Sequence, residues 1–261
     1  AQYLKALDAI NLGANAFGEM ALTLERPVPV QQLPGFAEGW VSVQDAAAPY
    51  AAPLLLQGMD MSQPLRVLDA CAAPGGKTAH LLEMASANVR LDVTALEIDA
   101  TRSTRIDETL ARLGLHATVL VADAARPQDW WQQHCGGARF DAILLDAPCT
   151  ASGIVRRHPD VRWLRRESDI AQLAALQTQL LKALWPLVRP GGRLLYCTCS
   201  VFRAEGDGQV QTFLANNTDA LLLPSPGHLI PGKGDTNGSV PDNLRGDHDG
   251  FFYALLQKSI H

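Results

Sequence analysis

The sequence predicts an α/β fold, a seven-stranded sheet with helices on both faces, preceded by a small N-terminal appendage. Three observations carry this. From Leu65 onward, short apolar runs alternate with stretches of helical spacing, the pattern of strand–helix–strand crossovers. Several runs end in an acidic residue or a cysteine followed by a turn, as strands do when their carboxyl ends face a ligand site. Residues 1–63 break the alternation, with prolines at 27, 29, 34, 49 and 53.

In the appendage, Tyr3–Phe17 has helical spacing. Ala21–Gly35 mixes prolines with an alternating stretch. Gly39–Gln44 is expected as a short strand, and Ala46–Leu56 as a helix interrupted by Pro49 and Pro53. The domain proper is taken as residues 64–261. Its strands are expected at Leu65–Asp69, Asp92–Glu97, Ala117–Val121, Phe140–Leu145, Arg193–Cys197, Ala220–Leu223 and Phe251–Gln257. Helices are expected at Lys77–Ala85, at Thr101–Leu113 with Gly114 as its cap, at Asp169–Val188 and at Ala204–Asn216. Pro190-Gly191-Gly192 reads as the stop of the third helix. Residues 225–250, rich in Gly, Pro and Asp, form a loop long enough to be functional or mobile.

Composition narrows the class. The chain has 261 residues, 47% of them apolar, enough for a full core without staples. Lys and Arg number 22 against 27 Asp and Glu, a net charge of −5, which excludes a uniformly basic nucleic-acid binder. Five cysteines, an odd count in a chain of this size, argue against a disulfide scaffold and for a reducing, cytoplasmic setting. No apolar run is long enough for a membrane span. The first residue is Ala1 rather than Met, so the chain is read as part of something longer. A monomer is the default expectation.

The strand ends carry the chemistry. After the first strand comes Asp69-Ala70-Cys71-Ala72-Ala73-Pro74-Gly75-Gly76-Lys77-Thr78. Gly75 and Gly76 let backbone approach a ligand at the start of a helix. The segment nearly matches a phosphate-binding P-loop, but Cys71 stands where that loop needs its first glycine. Glu97, 21 residues after Gly76, is placed to accept both hydroxyls of a ribose, with Asp99 as its competitor. Asp123, after the third strand, suits a hydrogen bond to an adenine amino group. Asp146-Ala-Pro-Cys149 follows the fourth strand, and Tyr196-Cys197-Thr-Cys199-Ser200 closes the fifth. Cysteines at two neighbouring strand ends converge. They do not make a zinc set, since no C-x-x-C pair occurs and no histidine adjoins them, and no metal is expected.

These three segments, DACAAPGGKT, DAPCTASG and YCTCS, resemble the signature motifs of the RNA 5-methylcytosine methyltransferases of the Nop2/Sun family. They occur in the family's order over roughly 170 residues. GWVSVQDAAA, RRHPDVRWLRR and GDHDGFFYA extend the resemblance over nearly the whole chain, toward the members that modify 16S ribosomal RNA. The resemblance implies a Rossmann-like class I methyltransferase fold with a mostly parallel sheet. It implies S-adenosylmethionine as cofactor, leaving as S-adenosylhomocysteine, and no metal. It places Cys71, Ala72, Ala73, Pro74, Gly75, Gly76, Lys77, Glu97, Asp123 and Asp146 around that cofactor. It makes Cys199 the nucleophile and Cys149 the second cysteine, which assists product release, with Asp146 and Lys77 beside them. It makes residues 1–63 the end of a preceding RNA-binding subdomain. The substrate is then 16S rRNA, free of protein or in an early assembly intermediate. This chain departs from the family where Glu97 replaces a commoner aspartate, Cys197 a frequent alanine, and Ala46 and Ala47 small hydroxyl residues.

The chemistry explains why such residues are needed. Carbon-5 of cytosine is a poor nucleophile until a thiolate adds to carbon-6, which is covalent catalysis. Asp146 would hydrogen-bond the base near nitrogen-3, either protonated or accepting from the exocyclic amine. Arg156, Arg157, Arg162, Arg165 and Arg166 stand against one Asp160, a local charge of +4, and Trp163 lies among them. Such a segment suits phosphates and unstacked bases. The competing readings are methylation of transfer RNA or another RNA, a P-loop nucleotide hydrolase, a DNA cytosine methyltransferase using Cys149, and an RNA-binding module on an inactive methyltransferase fold.

Overall fold

The computed structural model describes residues 2–17, 21–85, 90–231 and 248–260. At the N-terminus, α1 (Gln2–Asp8) leads into a hairpin of β1 (Ala14–Phe17) and β2 (Ala21–Leu24). The helix expected over Tyr3–Phe17 therefore ends half-way. Asn11 takes a φ of 53°, which helix cannot continue through, and the turn buries Leu7 and Leu12 together with Leu33. Gly39–Gln44, expected as a strand, is irregular. The Val41 carbonyl accepts from the Arg112 guanidinium at 3.0 Å instead of from a neighbouring strand. Pro49 lies in a 3₁₀ turn and Pro53 in the first turn of α2 (Ala51–Leu56), where no N–H is required, so the helix is shortened rather than broken.

The main domain follows as β3 (Leu65–Asp69), α3 (Gly76–Glu83), β4 (Leu91–Glu97), α4 (Ala100–Leu113), β5 (Thr118–Val121), α5 (Trp131–Cys135), β6 (Phe140–Asp146), α6 (Val161–Leu164), α7 (Glu167–Leu184), β7 (Val188–Thr198), α8 (Asp207–Asn216), β8 (Ala220–Leu229) and β9 (Phe251–Lys258). The seven-stranded sheet has the order β5-β4-β3-β6-β7-β9-β8, and β9 runs antiparallel to both its neighbours. The sequence order of the strands along the sheet reverses between the parallel strands β3 and β6, the crevice at which open α/β sheets bind ligands. Pro190-Gly191-Gly192 does not stop α7. That helix already closes in a 3₁₀ turn over Trp185–Leu187, and the three residues lie in β7, where the pairing slips between Phe140↔Val188 and Ala142↔Arg193. A proline without an N–H and a glycine at φ 75° fit such an irregularity. β8 runs on to Leu229, past the start of the long loop expected at 225; residues 232–247 of that loop lie outside the described residues.

Alternate side chains of the parallel strands feed two apolar layers. Leu68, Leu96, Ile143, Leu145, Leu194 and Tyr196 pack with α7 and α8. Val67, Val93, Ala142, Leu144, Leu195 and Cys197 pack with α2 and α3 on the other face. Burial on both faces explains why the strands read as continuous apolar runs. Among the described residues, no helix is long and apolar enough to cross a membrane.

Candidate active site

Three loops leave the carboxyl ends of β3, β6 and β7 side by side, since Asp69 pairs with Leu144 and Asp146 with Cys197. The β3 loop turns into α3 through a cis Ala73–Pro74 bond and Gly75, whose φ is +96°. A Cβ on Gly75 would stand 3.1 Å from Ile106 Cα, so the glycine permits both the left-handed turn and the close approach of α4. Asp69 is fully buried. One oxygen accepts from Thr78 Oγ1 at 2.7 Å, while Oδ1 has no hydrogen-bond partner among the described residues. Burial pushes its carboxyl up to about 7. Cys71 is likewise raised by burial, which makes it an inert thiol rather than a nucleophile.

At the end of β4, Asp99 is spent on structure. It caps α4 by accepting from Thr101 N at 2.7 Å and Arg102 N at 3.0 Å. Glu97 is buried and accepts from Asp99 N at 3.1 Å, with Arg102 3.5 Å away. Ile98, between them, is 65% exposed, an apolar surface beside the acid that sequence reasoning passed over. Asp123 accepts from Ala125 N at 2.9 Å and lines a groove of about 380 Å³ along the β5 edge.

The β6 and β7 loops bring three cysteines beside Asp146, and α3 adds Lys77. Lys77 Nζ donates to Asp146 Oδ2 at 2.6 Å. Burial opposes the charge on Lys77, but Asp146, Cys197 and Asp69 together outweigh it and raise its pKa. Cys149 Sγ lies 3.4 Å from Cys199 Sγ. The hydrogen bond from Cys149 lowers Cys199, against burial and the nearby Asp146 and with help from Lys77. The same bond, with burial, raises Cys149. Cys197 is buried and raised by burial; its thiol donates to Asp146 Oδ1 at 3.6 Å. Of the two, Cys199 is the one whose surroundings favour the thiolate.

A model of the family "16S rRNA methyltransferase RsmB/F" matches residues 56–257, more than three quarters of the chain. The chain belongs to the RsmB/F methyltransferase family. It is 46% identical over 258 residues to the ribosomal RNA small subunit methyltransferase B of Serratia proteamaculans, covering 98% of this chain and 56% of that protein. The protein of the same name from Salmonella paratyphi B is 48% identical, with 91% and 52% covered. The chain therefore spans about half the length of the curated relatives it matches. Among solved structures, a methyltransferase homolog from Pyrococcus horikoshii is 28% identical with a TM-score of 0.75, covering 98% of this chain and 82% of that one. NSun6 from Pyrococcus horikoshii, solved with SFG, is 25% identical with a TM-score of 0.70, covering 93% and 60%. The fold is that of the Rossmann-like class I methyltransferases.

In this RsmB/F chain the arginine-rich segment divides in two. Arg157 donates to Asp249 Oδ2 through Nε at 2.7 Å, and Arg156 faces Asp45 at 3.4 Å and Asp249 at 3.7 Å. Arg165 Nε donates to the Thr150 carbonyl at 2.8 Å. These three tie the segment to the site. Arg162, Trp163 and Arg166 are exposed, Trp163 to 84%. The expected local charge of +4 is therefore partly spent on the buried Asp45 and Asp249. Sequence reasoning did not single out these two acids, nor Glu205, which is fully buried beneath the cysteines. Nothing in R-A-E-G-D distinguishes Glu205 from a solvated acid.

Proposed function

We propose that this chain is the catalytic portion of an S-adenosylmethionine-dependent methyltransferase that methylates carbon-5 of a cytosine in 16S rRNA through a covalent cysteine–carbon-6 adduct. In this reading residues 64–261 are the catalytic domain, and residues 1–63 end a preceding RNA-binding subdomain. The observation that carries the reading is the Cys149–Cys199 contact next to the Lys77–Asp146 ion pair, at the sheet's switch point.

The residues present fit the cofactor. Asp69 Oδ1 is a buried acceptor lacking the kind of donor an ammonium group offers. The Cys71–Lys77 loop, Glu97 and Asp123 stand at or just beyond the ends of three neighbouring strands, β3, β4 and β5. Glu97 would take the ribose, with the apolar Ile98 beside it, and Asp123 the adenine. When bound, S-adenosylmethionine supplies an electrophilic methyl group.

The chain's own residues do the rest. The Cys199 thiolate adds its electron pair to carbon-6, and the ring becomes nucleophilic at carbon-5. Asp146, which accepts from Lys77 Nζ, also accepts from the exocyclic amine and holds the base for attack. Lys77 also stabilises negative charge in the pocket. Once carbon-5 has gained its methyl group, a water molecule acting as base takes the carbon-5 proton, the C–H electron pair re-forms the carbon-5–carbon-6 double bond, and the carbon-6–sulfur pair returns to Cys199. Cys149, as a thiol in contact with that sulfur, hydrogen-bonds the departing thiolate. Arg162, Trp163 and Arg166 present cations and a stacking surface to unpaired RNA, while Arg156, Arg157 and Arg165 anchor that segment.

The test is titration calorimetry with S-adenosylmethionine, followed by methyl transfer to protein-free 16S rRNA and bisulfite mapping of the product. Binding, with label on carbon-5 of a single cytosine, is the expected result. A chain that binds no cofactor, or label on a ribose or on another base, contradicts the reading.

A further inference from the structure

Glu205 has no part in the chemistry above, yet its carboxylate is fully buried and accepts four hydrogen bonds from neutral donors. Oε1 takes Thr150 N at 2.9 Å and Gln177 Nε2 at 3.2 Å. Oε2 takes Thr150 Oγ1 at 2.5 Å and Ser200 Oγ at 2.6 Å. Its backbone carbonyl accepts from Tyr196 OH at 2.8 Å and Thr198 Oγ1 at 3.2 Å. Thr150 follows Cys149, and Ser200 follows Cys199. The network continues behind Ser200. Ser152 Oγ lies 3.0 Å from Ser200 Oγ and accepts from Val201 N at 3.1 Å. A carboxylate can only accept, so it turns both hydroxyls toward itself and gives the chain of donors one direction.

We propose that Glu205 is a positioning residue: its buried carboxylate clasps the loop after β6 to the loop after β7 and so holds the Cys149 and Cys199 sulfurs in contact. The thiol–thiol contact is a weak hydrogen bond and cannot hold two loops together by itself. Charge-assisted bonds from both loops to one rigid acceptor can. The role rests on the covalent-cysteine reading, but its physical content is the state of Cys199. Facing that sulfur are Cys149 and Asp146 from the β6 side and Lys77 from α3, with Arg157 and Tyr253 within electrostatic reach.

The test is alkylation of Cys199 by iodoacetamide across pH, read by peptide mass spectrometry in the unmodified chain, Glu205→Gln, Cys149→Ala and the double variant. Circular dichroism reports the fold. In Glu205→Gln an amide nitrogen can replace Oε2, and the two hydroxyls lose their common acceptor. Each single substitution is expected to move the Cys199 profile to higher pH and to slow alkylation near neutrality about tenfold. The double variant is expected to be no slower than either single, because both remove the same contact. An unshifted profile in folded Glu205→Gln, or a double variant slowed by the product of the two effects, overturns the proposal. Should Glu205→Gln fail to fold, Ser200→Ala and Thr150→Val each remove one donor and are read by the same criterion. The assay needs neither RNA nor methyl transfer. A shifted profile in a chain that methylates nothing would count against the proposed function and leave the role of Glu205 standing.

Discussion

The Cys149 and Cys199 sulfurs lie 3.4 Å apart although their residues are 50 positions apart in sequence. β6 and β7 bring the two loops side by side, since they are neighbours in register with Asp146 beside Cys197 and since Ala147 N and Gly153 N donate to the carbonyls of Cys197 and Cys199 at 2.9 Å. The proposed mechanism gives the two sulfurs different roles.

The pH dependence of methyl transfer follows from this asymmetry. Cys199 is lowered, chiefly by the hydrogen bond with Cys149, and in the proposed mechanism it reacts as the thiolate. Thiolate is lost as pH falls through that lowered value, so the acid limb of kcat is expected below the range of an ordinary thiol, about 8.5. Lys77→Met removes a cation facing Cys199 and should move the limb to higher pH. A limb in the same place in both proteins argues against Cys199 as the titrating group.

Stability carries a second pH signature, from Asp69. Its carboxyl is raised by burial to about 7. A raised acid favours the folded state below its unfolded value of about 3.9, and that contribution is lost as pH rises toward 7. The loss is at most about 4 kcal/mol. Asp69→Asn cannot ionise and is expected to flatten the decline between pH 4 and 7, as measured by urea midpoints. An equal slope in both proteins would show that Asp69 titrates normally.

Gly153 marks where the loop after β6 meets the chain leading into β9. Gly250 N donates to the Gly153 carbonyl at 2.9 Å, and a Cβ on Gly153 would stand 1.9 Å from the Gly250 carbonyl oxygen. Backbone must move to relieve that overlap. Gly153→Ala is expected to cost about 2 kcal/mol in thermal or urea unfolding and to loosen the cysteine pair with it. Gly136→Ala, where φ is +63° and nothing lies within 4 Å, separates backbone strain from collision and should cost less.

The arginine segment separates binding from folding. Trp163→Ala and Arg162→Ala change exposed side chains and are expected to weaken RNA binding in filter or polarisation assays without moving the melting temperature. Arg157→Ala removes the hydrogen-bonded cation of the buried Asp249 carboxylate, leaving Arg156 at 3.7 Å, and is expected to cost about 2 kcal/mol of stability. Equal effects of all three on stability would place Trp163 and Arg162 in the structure rather than at an RNA surface.

The sheet was largely legible because parallel strands buried on two faces read as apolar runs, and because Asp69, Glu97, Asp146 and Cys199 stand at or just beyond their ends. Gly114 ended α4 as expected. Legibility failed where long-range contacts decide. Asn11 turns the chain that helical spacing would have continued. Val41 binds Arg112 rather than a strand, 71 residues away in sequence. Pro190 reads as a helix stop but sits in a slipped strand pair. In the site, the residues of the three motifs came together as their strand ends implied. Glu205, Asp45 and Asp249 did not announce themselves, because a buried acid and a solvated acid are spelled alike.

The covalent mechanism predicts protein–RNA adducts that survive denaturing electrophoresis after incubation with 16S rRNA and S-adenosylmethionine. Cys149→Ala retains the nucleophile but lacks the thiol that eases its departure, so it is expected to accumulate the adduct. Cys199→Ala is expected to form none and to transfer no methyl group. An adduct that accumulates in Cys199→Ala and is absent in Cys149→Ala would reverse the two roles and contradict the account.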